Sequence, residues 1–124
     1  MSKIQFNFKN RTAVITGGAQ GFGFDIAKRF LDSGARVMIW DIDPKMLEKS
    51  TKELNNPNLS SSIIDVSKYN EVENGVNQIL ENSNVDILIN NAGITGPTET
   101  LWEYDIKMWK KVVEINLMGT FNCC

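Results

Sequence analysis

At 124 residues, with 42% apolar and 23% charged side chains, the chain has the make-up of one small globular domain with a modest core. A net charge of −2 and a pI near 5.1 leave no basic stripe to neutralise phosphates, so nucleic-acid binding is not expected. No apolar run approaches the ~20 residues of a membrane span. The stretch Met1–Asn10 is polar, with no signal-peptide core, so the expected location is the cytoplasm.

Cys123 and Cys124 are adjacent. Neighbouring Cα atoms stand about 3.8 Å apart, below the usual disulfide range, so two free thiols are expected. The sequence has no histidine, so no metal site is expected and acid–base chemistry falls to Tyr, Lys, Ser or a carboxylate.

In chain order, short apolar runs alternate with helical patterns and no repeat appears, which predicts a parallel sheet with crossover helices. Thr12–Thr16 reads as the first strand. It passes through Thr16-Gly17-Gly18-Ala19-Gln20-Gly21-Phe22-Gly23 into a helix over Phe24–Ser33, with Ile26, Phe30 and Leu31 on one face and Gly34 as its left-handed cap. Arg36–Trp40 is a second strand, apolar without interruption from Val37. Asp43 then caps a helix that starts at Pro44, shows Leu47, Thr51 and Leu54 on one side, and breaks at Asn55–Asn58.

A third strand is predicted over Ser61–Val66. Ser67 is expected to cap a third helix with Val72, Val76, Ile79 and Leu80 inward. Val85–Asn90 is the fourth strand, and a final helix starts near Asp105 and still runs at Cys124. This order predicts a doubly wound α/β sheet of Rossmann type, whose ligand lies beyond the carboxyl ends of the strands. Asp41, Asp65 and Asn90 all arrive at that edge.

The glycine turn has the context that a phosphate cradle needs, with a strand before it and a helix N-terminus after it. Asp41 follows Gly23 at close to the ~20-residue spacing of dinucleotide sites. Its carboxylate would accept both ribose hydroxyls of an adenosine and repel a 2′-phosphate, which favours NAD over NADP. Asp65 is placed to accept from an adenine amino group, with Val66 packed beside it. Asn90-Asn91-Ala92-Gly93 closes the fourth strand with residues small enough to let a flat ligand lie against the backbone. Asn116 lies on one helical row with Trp109, Val112, Val113 and Thr120, a row otherwise apolar up to Thr120. Read as a buried amide, it needs a water or backbone partners, because leaving it unpaired costs roughly 1–3 kcal/mol.

Thr16-Gly17-x-x-x-Gly21-x-Gly23, Asp65-Val66, Asn90-Asn91-Ala92-Gly93 and the Asn116 helix, in this order and spacing, resemble the short-chain dehydrogenases/reductases in their classical subgroup. The resemblance covers essentially the whole chain. It implies reversible hydride transfer between a nicotinamide cofactor and an alcohol or carbonyl such as a 3-oxoacyl thioester, a sugar or a small alcohol. It also implies cofactor binding by Gly17, Gln20, Gly21, Phe22, Gly23, Asp41, Ile42, Asp65, Val66, Asn91, Ala92 and Gly93.

Of the family's Asn-Ser-Tyr-Lys set, only the Asn maps here. Asn116 would act catalytically by holding a water in a proton relay. The Ser and the Tyr-x-x-x-Lys would come after it and are absent: Tyr69 has Glu73 four residues on, and Tyr104 has Met108. The expectation is therefore a single cofactor-binding domain over 1–124, the N-terminal half of a longer, homo-oligomeric enzyme, with little or no turnover alone. The other reading is a non-catalytic dinucleotide-binding fragment.

Overall fold

Thr12–Thr16 forms β1, and all five residues are buried, as a central strand covered on both faces must be. It pairs in parallel with β2 (Arg36–Asp41), from Thr12↔Arg36 to Thr16↔Trp40, and on its other side with β4 (Ile87–Ile89). A fourth strand, β3 (Leu59–Ile63), pairs in parallel with β2, giving the order β3-β2-β1-β4. These elements are drawn from a computed structural model that describes residues 4–124, so residues 1–3 of the polar opening stretch lie outside it.

Successive residues of a strand face opposite sides of the sheet, and the core divides accordingly. Ile15, Val37 and Ile39 pack with Ala27 and Leu31 of α1 (Gly21–Asp32) and Leu47 of α2 (Pro44–Leu54). Val14 and Trp40 pack with Ile64, Val66, and Val72 and Ile79 of α3 (Tyr69–Leu80). Ile115 and Cys123, from the last helix, close that second layer. The result is the doubly wound parallel sheet that the alternation of runs predicted. No helix of the described residues is long and apolar enough to cross a membrane.

Local signals held where side chain and backbone act together. Asp43 accepts from Lys45 N–H (3.0 Å) and Met46 N–H (3.1 Å) ahead of Pro44 at the helix start. Gly34 takes the left-handed conformation, φ 89°. Asn55 does the same at the end of α2, φ 39°.

Other boundaries moved. The first helix begins at Gly21, not Phe24, so two of the glycines lie in its first turn. The third strand is Leu59–Ile63 because the register against Val37–Asp41 ends there; Ile64 N–H still reaches Asp41 C=O (3.1 Å), but Asp65 and Val66 lie beyond the ladder. Ser67 does not cap α3. Its N–H and hydroxyl both donate to Asp65 Oδ1 (3.0 and 2.6 Å), and Lys68 occupies the cap position with no side-chain bond. On α3, Gly75 is buried and Leu80 is exposed, because Gly75 meets the indole of Trp40 and Leu80 lies past the last inward turn. The fourth strand shortens to Ile87–Ile89, since Asp86 turns its carboxylate to Thr12 N–H (2.8 Å).

The last helix is continuous but not uniform. α4 (Ile106–Val113), capped by Asp105, runs into a π-helical turn over Glu114–Met118 and then α5 (Gly119–Cys123), with helical dihedrals at both junctions. Its terminal thiols differ. Burial, and secondarily Cys124, pushes the half-buried Cys123 thiol up to about 11, whereas Cys124 is exposed. Only the thiolate is nucleophilic, so iodoacetamide at pH 8 is expected to alkylate Cys124 first and Cys123 at least tenfold more slowly. Peptide mass spectrometry over time checks this; equal rates would mean that Cys123 is not packed as described.

Candidate functional site

The carboxyl ends of β1, β2 and β4, with the segment after β3, border a cleft of about 910 Å3. That is within the ~300–1,000 Å3 of small-molecule and cofactor sites. Gly17, Gln20, Asp41, Ile42, Asp65, Val66, Asn91, Ala92 and Gly93 line it, so nine of the residues singled out from the sequence meet there. Gly21, Phe22, Gly23 and Asn116 do not line it directly.

The glycine turn is shaped by the chain's own contacts as much as by anything that would lie on it. Gly21 needs its glycine for backbone conformation, φ 58°, and has open space around its missing side chain. Gly23 needs its glycine for room, because a Cβ there would stand 2.3 Å from Gly17 O and 2.5 Å from Asn91 Nδ2. That amide nitrogen donates to Thr16 O (3.1 Å) and Gly17 O (3.0 Å), so the loop after β4 ties the turn down. Thr16 Oγ1 returns the tie by accepting from Asn91 N–H (3.1 Å) and Ala92 N–H (3.0 Å).

The turn therefore brings Gln20, the residue that precedes α1, to the cleft wall. No side chain caps the N-terminus of α1 and no acidic residue stands in its first turn. Its N–H groups and positive dipole end would favour a negative charge placed there. Phe22, at 83% exposure, projects from the same turn into solvent.

Two carboxylates, Asp41 and Asp65, line the cleft. Asp41 Oδ2 accepts from Ala19 N–H (3.2 Å) and Oδ1 from Asp43 N–H (3.2 Å), so the residue braces the turn from β2. It has no ion-pair partner among the described residues. Asp65 uses Oδ1 on Ser67, and Oδ2 has no partner among the described residues. Its own N–H donates to Glu71 Oε2 (2.7 Å), which fixes the peptide from α3.

Asn116 is exposed rather than buried, because the row Trp109–Val113–Asn116 lies at the surface of the described chain. Backbone groups satisfy it all the same: Oδ1 accepts from Ile94 N–H (2.8 Å) and Nδ2 donates to Ile94 O (2.8 Å). Its main-chain carbonyl, inside the π-turn, accepts from Thr120 Oγ1 (3.1 Å). Asn90, the third strand-end residue, turns away to Cys124 Sγ at 3.6 Å.

Four lysines of the cleft wall, Lys68, Lys107, Lys110 and Lys111, escaped the sequence reading. The last three recur at helical spacing opposite the apolar row, so the signal was periodicity in charge rather than in hydrophobicity.

The short chain dehydrogenase family model matches residues 11–124. Among curated proteins, the 3-oxoacyl-(acyl-carrier-protein) reductase of Chlamydia trachomatis is 36% identical over 93% of this chain and 48% of its own length. The NAD(+)-named 2-dehydro-3-deoxy-L-rhamnonate dehydrogenase of a Sphingomonas species is 34% identical over 99% of this chain and 49% of its own. A solved structure titled as a short-chain dehydrogenase/reductase, glucose/ribitol dehydrogenase, from Brucella melitensis superposes with a TM-score of 0.91 at 32% identity, covering 98% of this chain and 52% of that one. The chain spans about half the length of the curated relatives it matches. With the tied glycine turn, the two carboxylates and the Asn116 helix in one parallel sheet, the chain belongs to the short chain dehydrogenase family.

Proposed function

We propose that this chain is the cofactor-holding part of an NAD-dependent oxidoreductase acting on a small alcohol or carbonyl, and that NAD is preferred to NADP. The family implies a nicotinamide dinucleotide, and the donor set here fits one. An uncapped helix N-terminus suits a pyrophosphate, and an unpaired carboxylate oxygen on Asp65 suits an amino group. The observation that carries the preference is Asp41, a carboxylate at the end of β2 without a cationic partner among the described residues. There it would accept ribose hydroxyls and oppose a 2′-phosphate.

A bound nicotinamide supplies the hydride acceptor or donor. The chain's own residues bind and orient. Gly17–Gly23 and the start of α1 hold the phosphates, Asp41 and Ile42 the ribose, and Asp65 and Val66 the adenine. Asn91–Gly93 form the floor of the opposite end, where Asn116 fixes the Ile94 peptide and holds a water for proton transfer.

A second reading, a dinucleotide-binding fragment without catalysis, has its own support. Neither tyrosine lines the cleft, and neither is followed by a lysine four residues on. Titration calorimetry and an alcohol-oxidation assay of the 124-residue chain test the cofactor reading that the two share. Binding of NAD at least tenfold tighter than NADP, with no turnover of alcohols by the chain alone, is expected. Turnover would remove the need for any further catalytic segment, and no binding of either dinucleotide would end the cofactor reading.

A further inference from the structure

The last helix holds more than one loop of the cleft. Asn116 pairs with both backbone groups of Ile94. Six residues on, about 9 Å along the axis, Asn122 Nδ2 donates to Val66 O at 2.9 Å. Between them Gly119 is buried against Val66, where a Cβ would stand 2.6 Å from Val66 Cγ2. Asn116, Gly119 and Asn122 recur at every third residue, so they share one side of the helix.

The Val66 side chain is buried with Val14 and Trp40, but its carbonyl has no hydrogen-bond partner besides Asn122 among the described residues. Val66 lies beyond the end of β3, outside any ladder, so its carbonyl lacks the strand partner that would fix it. Asp65 on one side is bonded to Ser67 in the same connection and to Glu71 in the first turn of α3. Asn122 is thus the side-chain bond that fastens this segment to a distant element, 56 residues away in sequence.

We propose that Asn122 is a positioning residue for the purine end of the cleft. By holding the Val66 carbonyl, it fixes the Val66–Ser67 peptide, whose Ser67 N–H donates to Asp65 Oδ1, and hence the aim of the free Asp65 Oδ2. The inference rests on the reading of Asp65 as the adenine-binding carboxylate. Asn122 touches neither cofactor nor substrate, and it acts through Val66. One helix would then fasten both ends of the cleft, Asn116 the loop after β4 and Asn122 the loop after β3.

The test compares NAD with nicotinamide hypoxanthine dinucleotide, which lacks the amino group, by titration of the 124-residue chain. The wild-type chain is expected to favour NAD by about tenfold, one hydrogen bond's worth of discrimination. Asn122→Leu, which keeps the branching at Cγ but removes the donor, is expected to weaken NAD by about tenfold and bring the two ligands within about threefold of each other. A merely structural Asn122 would weaken both ligands alike and leave their ratio intact, and that result overturns the proposal. If Asn122→Leu does not fold, Asn122→Asp, which replaces the donor by an acceptor at the same size, is read by the same ratio, and a retained ratio again overturns it. A wild-type chain that binds both dinucleotides equally instead overturns the reading of Asp65, and the proposal with it.

Discussion

Gly23→Ala is expected to abolish measurable dinucleotide binding and to lower the melting temperature together. A Cβ at this position would stand 2.3 Å from Gly17 O and 2.5 Å from Asn91 Nδ2, and neither atom can give way cheaply. Gly17 O belongs to the turn itself, at a residue with φ 62°. Asn91 Nδ2 is the donor that joins the loop after β4 to Thr16 and Gly17. Relieving the overlap means moving α1 off the turn or breaking the Asn91 bonds. Overpacking of this kind costs about 1–3 kcal/mol, or a fall of about 4–12 °C for a domain of this size. Binding should fall further, by more than about 100-fold, because a helix N-terminus displaced by even 1 Å no longer presents its N–H groups together. Thermal melting and calorimetry on the same sample check both. A variant that melts and binds like the wild type would show that the turn is not the rigid part of the cleft.

Asp41→Asn is expected to reverse or erase the preference between the two cofactors while leaving the fold in place. The carboxylate has two duties that this substitution separates. It braces the chain by accepting from Ala19 N–H and Asp43 N–H, and its position at the cleft makes it the acceptor for ribose hydroxyls. An amide keeps one acceptor oxygen for the brace, so the structural loss is about one hydrogen bond, near 1 kcal/mol. Hydrogen bonds to a charged group contribute roughly 1.5–3 kcal/mol, so NAD should weaken by about 10–100-fold. NADP should hold or improve, because the repulsion of its 2′-phosphate is removed. If titration shows both cofactors weakened by the same factor, the carboxylate serves the brace alone and the argument for NAD fails.

Much of this site was legible because its signals are local. Thr16-Gly17 to Gly23 between an apolar run and a helical run, and Asp43-Pro44 at a helix start, follow from what single residues do to the adjacent backbone. Asp41 was equally readable, since the strand that precedes it is fixed by four consecutive apolar residues. Where the reading slipped, a bond to a distant residue decided the outcome. Ser67 looks like a helix cap in sequence, but Asp65 takes both of its donors. Asp65 and Val66 read as strand because Ile63-Ile64 precede them, but the pairing partner Asp41 ends the ladder at Ile63.

The sequence by itself determined the order of strands and helices, the parallel sheet, and the chemistry delivered to its carboxyl edge. Periodicity and glycine geometry act over a few residues and need no partner to be read. Only the tertiary structure decided what each glycine and amide is for. Gly23 is small because Gly17 and Asn91 lie against it, Asn116 is satisfied by Ile94 rather than by burial, and Asn122 holds the Val66 carbonyl. Those contacts join residues 6 to 68 positions apart, and nothing in the local sequence of either partner marks the other.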